Sequence, residues 1–122
     1  MATVRYLVTD VERAIAFYTK ALGFRLDQSM VPAFARVSQN DLTLWLAGPQ
    51  SSAARPMPDG RRPQPGGWNR FVVDVEDLES RVEEMKRLGV RFRNEIVRGP
   101  GGKQILLEDE DGNIVELFEA GR

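Results

Sequence analysis

The chain carries neither histidine nor cysteine among its 122 residues. That removes the usual general base near neutral pH, the commonest metal ligand, thiolate nucleophiles and disulfides. Acid–base chemistry then falls to carboxylates, and the one whose setting stands out is Glu116. It lies in the run Glu108-Asp109-Glu110-Asp111-Gly112-Asn113-Ile114-Val115-Glu116-Leu117-Phe118-Glu119. Asp111-Gly112 is a tight-turn signal, because glycine takes positive φ at little cost and Asp tolerates the turn. A strand follows, Ile114 to Phe118, in which Glu116 shares a face with Ile114 and Phe118 while Val115 and Leu117 point the other way. Both faces are mostly apolar, and this carboxylate interrupts one. It is either a half-exposed strand residue or a group kept for proton transfer or ligand contact.

Composition sets the frame. Apolar residues at 42% and charged residues at 29% describe one globular domain with a single core. A formal charge of −1 provides no general attraction to nucleic acid or anionic membrane. No apolar run reaches membrane-spanning length and the start lacks a signal-peptide pattern, so a cytoplasmic protein is expected.

The elements that must position Glu116 can be read in order. Residues 2–8 alternate as a strand, with Val4, Tyr6 and Val8 on one face and Thr3, Arg5 and Leu7 on the other. Asp10 is a helix N-cap. Val11, Ala14, Ile15, Tyr18 and Leu22 recur at helical spacing, and Gly23 sits where a left-handed cap belongs. Residues 24–31, 34–38 and 42–47 read as short strands parted by Pro32 and by Gln39-Asn40-Asp41. The stretch 48–67 holds five prolines and four glycines in twenty residues, which makes it loop rather than ladder. Its length suits a lid or a flexible crossover. The pattern then starts again. Residues 69–75 read as a strand, and Asp77 caps a helix with the stripe Leu78, Val82, Met85 and Leu88, stopped by Gly89. Phe92 marks a short strand, 95–98 extends it or forms the next, Gly99-Pro100-Gly101-Gly102 is a turn, and 103–108 and 114–118 are the last strands.

The two halves answer one another. Tyr6-Leu7-Val8, an Asp-capped helix and Leu22-Gly23-Phe24-Arg25 match Phe71-Val72-Val73, a second Asp-capped helix and Leu88-Gly89-Val90-Arg91. Each half is strand, helix, then about three strands. The paired βαβββ pattern resembles the glyoxalase / bleomycin-resistance / extradiol-dioxygenase group, the vicinal oxygen chelate (VOC) superfamily. The resemblance rests on Val8-Thr9-Asp10-Val11-Glu12-Arg13-Ala14-Ile15-Ala16-Phe17-Tyr18 with Leu22-Gly23-Phe24, and on residues 108–117 at the end. It implies an α+β fold of two βαβββ modules whose curved mixed sheets form a cleft. Module one would span about 1–47, the proline- and glycine-rich loop 48–67 and module two about 68–119. A homodimer is expected on the same ground.

In metal-using members of such a family, ligands come from four strands. The resemblance places Thr3, Trp45, Arg70 and Glu116 at those positions, and only Glu116 keeps the family residue. A Trp at one position and a permanent cation at another argue against the usual divalent site, so no metal cofactor is expected. The same residues suit another task. Trp45 offers a stacking surface, Arg70 a planar fork for an anion or for Glu116, and Arg5 and Arg36 share the cleft face by parity. The alternatives are a structural Arg70–Glu116 pair, core filling by Trp45 and solvated arginines. The leading expectation is a metal-independent binder of a small anionic or aromatic molecule, on the drug-sequestering side of the family. The alternative is a VOC-type lyase, isomerase or dioxygenase-like enzyme using Glu116 as acid, base or metal ligand. A third is a regulatory module with a vestigial site.

Overall fold

The computed structural model describes residues 2–121. The chain divides into two compact units, with the boundary along the sequence falling between Gly66 and Gly67. The first holds β1 (Ala2–Leu7), α1 (Val11–Lys20), β2 (Arg25–Met30), β3 (Phe34–Gln39) and β4 (Leu42–Ala47), followed by a short 3-10 turn at Ser52–Ala54. Its sheet runs β1-β4-β3-β2, with β1 parallel to β4 and the other pairs antiparallel. Helix α1 starts where the Asp10 carboxylate accepts the Arg13 amide at 3.2 Å. Val11, Ala14, Tyr18 and Leu22 are buried, and Tyr18 meets Phe24 edge-on at 5.8 Å. The helix packs on β3 and β4, where Ala35, Val37, Leu44 and Leu46 are wholly buried. That leaves the other face of the sheet uncovered by the helix.

The second unit repeats the plan: β5 (Arg70–Asp74), α2 (Leu78–Arg87), β6 (Arg91–Phe92), β7 (Val97–Gly99), β8 (Gly102–Glu108) and β9 (Ile114–Ala120). The order is β5-β9-β8-β6, with β7 also paired to β8 and β5 parallel to β9. Asp77 caps α2 by accepting the Ser80 amide at 3.2 Å. Leu78, Val82 and Met85 form this unit's core with Phe71, Ile105, Leu107, Val115 and Leu117. Among the described residues, two α-helices and nine strands in mixed sheets make the fold α+β, as the pattern predicted.

Several boundaries differ from the sequence reading, each for a local reason. Leu88 is not part of the α2 stripe. It is the C-cap residue, with ψ near 0°, and turns off the helix to lie 58% exposed. Strand β8 begins at Gly102, inside the run read as a turn. Gly102 pairs with both Gly99 and Ala120, and at φ +146° a Cβ there would run into the Glu119 carbonyl oxygen. The β9 hairpin turn, in contrast, lies where Asp111-Gly112 placed it, with Gly112 at φ +84°.

The proline-rich stretch joins no sheet, but it is tied down locally. Ser51 Oγ donates to the Gly48 carbonyl at 2.7 Å, the Met57 amide to the Arg61 carbonyl at 2.8 Å, and Arg61 pairs with Asp59 at 2.8 Å.

Candidate functional site

In the first unit, pairing across the sheet decides which side chains share the uncovered face. Parallel pairing of β1 and β4 sets Thr3 beside Thr43, Arg5 beside Trp45 and Leu7 beside Ala47. On the far side of β4, Arg36 lies beside Trp45, Ser38 beside Thr43 and Phe34 beside Ala47. Trp45 therefore sits in a row between two arginines. The Arg5 guanidinium carbon is 4.8 Å from the centre of the Trp45 ring, a cation–π distance. Phe34 meets the same ring edge-on at 5.7 Å. Trp45 is half-buried.

A register shift between Leu26 and Gln28 lies beside Asp27. The Ser38 hydroxyl and the Arg25 guanidinium, the latter at 2.8 Å, hold the Asp27 carboxyl below its ordinary pKa. Arg5 and Arg36 form no ion pair within 4.0 Å among the described residues, although Arg36 lies near enough to Asp27 to add to the lowering of its pKa.

In the second unit, β9 lies between β5 and β8, and Glu116 faces Val72 on one side and Leu106 on the other. Arg70 Nε and Nη2 both reach Glu116 Oε1 at 3.0 Å. Glu116 is buried, whereas the Arg70 side chain is 31% exposed. The half-exposed alternative for Glu116 is thus corrected: the strand order puts it mid-sheet, under the guanidinium. Its second oxygen, Oε2, accepts no hydrogen bond from the described residues.

A neighbouring cluster escaped the sequence reading. Arg93 Nε donates to Glu108 Oε2 at 2.6 Å and its Nη2 to the Gly112 carbonyl at 3.1 Å, while its guanidinium carbon lies 4.7 Å from the centre of the Trp68 ring. A signal was present. A hairpin centred on Asp111 pairs Glu108 with Ile114, which puts Glu108 on the Glu116 face.

The sequence-predicted residues therefore fall into two groups. Thr3, Arg5, Arg36 and Trp45 share the open face of the first unit's sheet, with Thr3 one pair along from the Trp45 row. Arg70 and Glu116 are in direct contact in the second unit.

This architecture and these residues now identify the class. The chain belongs to the Glyoxalase/Bleomycin resistance protein/Dioxygenase superfamily, whose family model matches residues 1–117. It is 28% identical over 130 residues to a probable lactoylglutathione lyase, chloroplastic, of Arabidopsis thaliana, covering 99% of this chain but 36% of that protein's length. It is also 28% identical over 125 residues to the uncharacterized protein YetH of Bacillus subtilis (strain 168), covering 98% of this chain and 97% of YetH. Among solved structures, TnmS3, an antibiotic-binding protein from Streptomyces sp. CB03234, superposes with a TM-score of 0.73 at 25% identity, covering 98% of this chain and 93% of TnmS3.

Metal-using members of this family hold a divalent ion, and the residues present do not fit one. Of Thr3, Trp45, Arg70 and Glu116, only Glu116 is a strong oxygen donor, and a guanidinium already occupies one of its oxygens. An indole N–H cannot ligate, and a guanidinium repels a cation. Among the described residues, no three acidic side chains gather to hold a metal.

Proposed function

We propose that this protein binds a small, partly aromatic, anionic molecule without a metal, and that it does so as a cytoplasmic homodimer. The observation that carries the reading is the Trp45 row: a half-buried indole between two arginines that lack an ion-pair partner among the described residues. An aromatic ring stacks on an indole, and arginine forks supply charge-assisted bonds to a carboxylate or phosphate. Thr3 adds a hydroxyl on the same face. In the second unit Glu116 fixes the orientation of Arg70 but does not engage its Nη1, which makes only a long 3.5 Å bond to the Trp68 carbonyl. The likeness to TnmS3, an antibiotic-binding protein, supports a binding role.

A thermal-shift screen of aromatic acids tests this, since a ligand that binds the native state raises the midpoint by mass action. With a hit in hand, Trp45→Ala and Arg70→Ala should each weaken binding by about 1–3 kcal/mol in calorimetry. Unchanged affinity in both would overturn the reading.

One observation favours an enzyme instead. Glu116 Oε2 takes no hydrogen bond from the described residues, which leaves a proton acceptor on a buried carboxylate. The likeness to a probable lactoylglutathione lyase points the same way. Glu116→Gln separates the two. In a binder it alters affinity alone, whereas in an enzyme it cuts turnover by about 10²-fold or more while binding survives.

A further inference from the structure

The first unit has a pocket that none of the residues above defines. The proline-rich stretch folds back on the ends of β1 and β4 and forms with them a half-open pocket of about 220 Å³. Its walls are mainly apolar, with Leu7 and Val8 from the end of β1, Ala47 from β4, and Ala54, Pro63 and Pro65 from the loop. One charged side chain lines it, Arg62. Arg62 forms no hydrogen bond or ion pair among the described residues, whereas its neighbour Arg61 is neutralised by Asp59 at 2.8 Å. Two adjacent arginines are thus treated differently, and the one without a counter-ion lines the pocket.

We infer that this pocket takes a small organic acid, with a single ring held against the prolines and leucine and its carboxylate paired to Arg62. The volume sets the class. A cavity of about 150 Å³ lined by apolar side chains holds a benzene ring. The space here therefore accepts one six-membered ring with a short acidic arm. Charge sets the rest, since a lone guanidinium beside apolar walls favours a monoanion.

The pocket also adjoins the Trp45 row. Leu7 and Ala47 lie on the same sheet face as Arg5 and Trp45, two residues further along their strands, or about 7 Å. A larger ligand stacked on Trp45 can then insert an acidic substituent under the loop. This deepens the binding reading and rests on it only for the open face being where ligand sits.

Phenylacetate is the probe, with 2-phenylethanol as its uncharged match. Titration of the full chain by calorimetry and by ¹⁵N-resolved NMR should show phenylacetate binding, with the largest shifts at the Ala47, Gly48 and Ala54 amides. 2-Phenylethanol should bind about tenfold or more weakly, and Arg62→Gln should weaken phenylacetate by a similar factor. Ala54→Leu should block the site by filling it. Because Arg62 is exposed, its variant keeps the fold if Ala54→Leu does not. Glu83→Gln, on the exposed side of α2 in the second unit, should leave phenylacetate binding unchanged. Loss of binding in Trp45→Ala with none in Arg62→Gln would overturn the pocket while sparing the binding face. Equal affinity for the neutral analogue, or no phenylacetate binding at millimolar concentration, would also overturn it.

Discussion

At the scale of single residues, the Arg70–Glu116 pair is the contact that both the second unit's sheet and the proposed function draw on. Glu116 is enclosed by neighbouring strands and needs a partner, and Arg70 supplies two donors to one oxygen. Removing Arg70 leaves that carboxylate buried and unpaired. Arg70→Ala should therefore cost about 1–3 kcal/mol in urea denaturation. The lower half of that range is expected, because the guanidinium is 31% exposed and solvent screens part of the attraction. Arg70→Lys should recover only part of the loss, since an ammonium lacks the planar fork. Equal stability of Arg70→Ala and wild type would show that water replaces the pair at no cost. Glu116 and its face were legible in the sequence because strand alternation fixes parity. Its partner was legible as one option among several. The Arg93–Glu108–Trp68 cluster was not found, because it needs the register of the β8–β9 hairpin and the path of the chain before β5 together.

At the scale of elements, the hairpin turn and the α2 edge each depend on one carboxylate. Asp109 is buried and accepts the Asp111 amide, the Asn113 amide and the Asn113 side-chain amide, all at 2.9 Å. Asp109→Ala strands those donors next to the strand that carries Glu116. It should destabilise the chain by about 2–4 kcal/mol, with Asp109→Asn milder, as measured by thermal or urea unfolding. The sequence marked this turn at Asp111-Gly112 but not the residue that organises it, whose bonds reach forward to Asn113. Glu79, in the first turn of α2, receives Lys103 Nζ at 2.7 Å and Arg98 Nη2 at 2.7 Å. These donors, Lys103 foremost, pull its pKa from 4.5 down to about 2. The folded pKa lies below the unfolded one, so Glu79 stabilises the chain fully above about pH 4.5. That contribution fades as pH falls toward 2. The gap in melting temperature between wild type and Glu79→Gln should accordingly shrink from pH 6 to pH 2. In Lys103→Met, a carboxyl-detected NMR titration should find the Glu79 midpoint moved back up. A midpoint unmoved by that change would show that Lys103 is not the cause.

At the scale of the whole molecule, the repeat was the most legible feature, because each unit is written by the same signals: an Asp cap, a helical stripe and a closing glycine. Less legible was what the proline-rich stretch does, since turn chemistry shows that it leaves the ladder but not where it folds back. The repeat also raises a question of assembly. Each unit builds its own sheet, and β1, β2 and β5 lie at sheet edges. All six residues of β2 are exposed, with Leu26 and Met30 at 43% and 57%. An uncovered edge with apolar side chains is a template for pairing unless something covers it. A two-fold dimer is the commonest closed solution, since the same patch serves both copies. Light scattering from low to high micromolar concentration should therefore give twice the 13.7 kDa chain mass. Leu26→Lys with Met30→Lys should shift the mass toward one chain if β2 lies in the interface. If the double variant stays dimeric, the contact uses another edge. A single chain mass throughout the wild-type series would mean that the exposed edge is tolerated, its six residues including Arg25 and Asp27 as charges that discourage pairing.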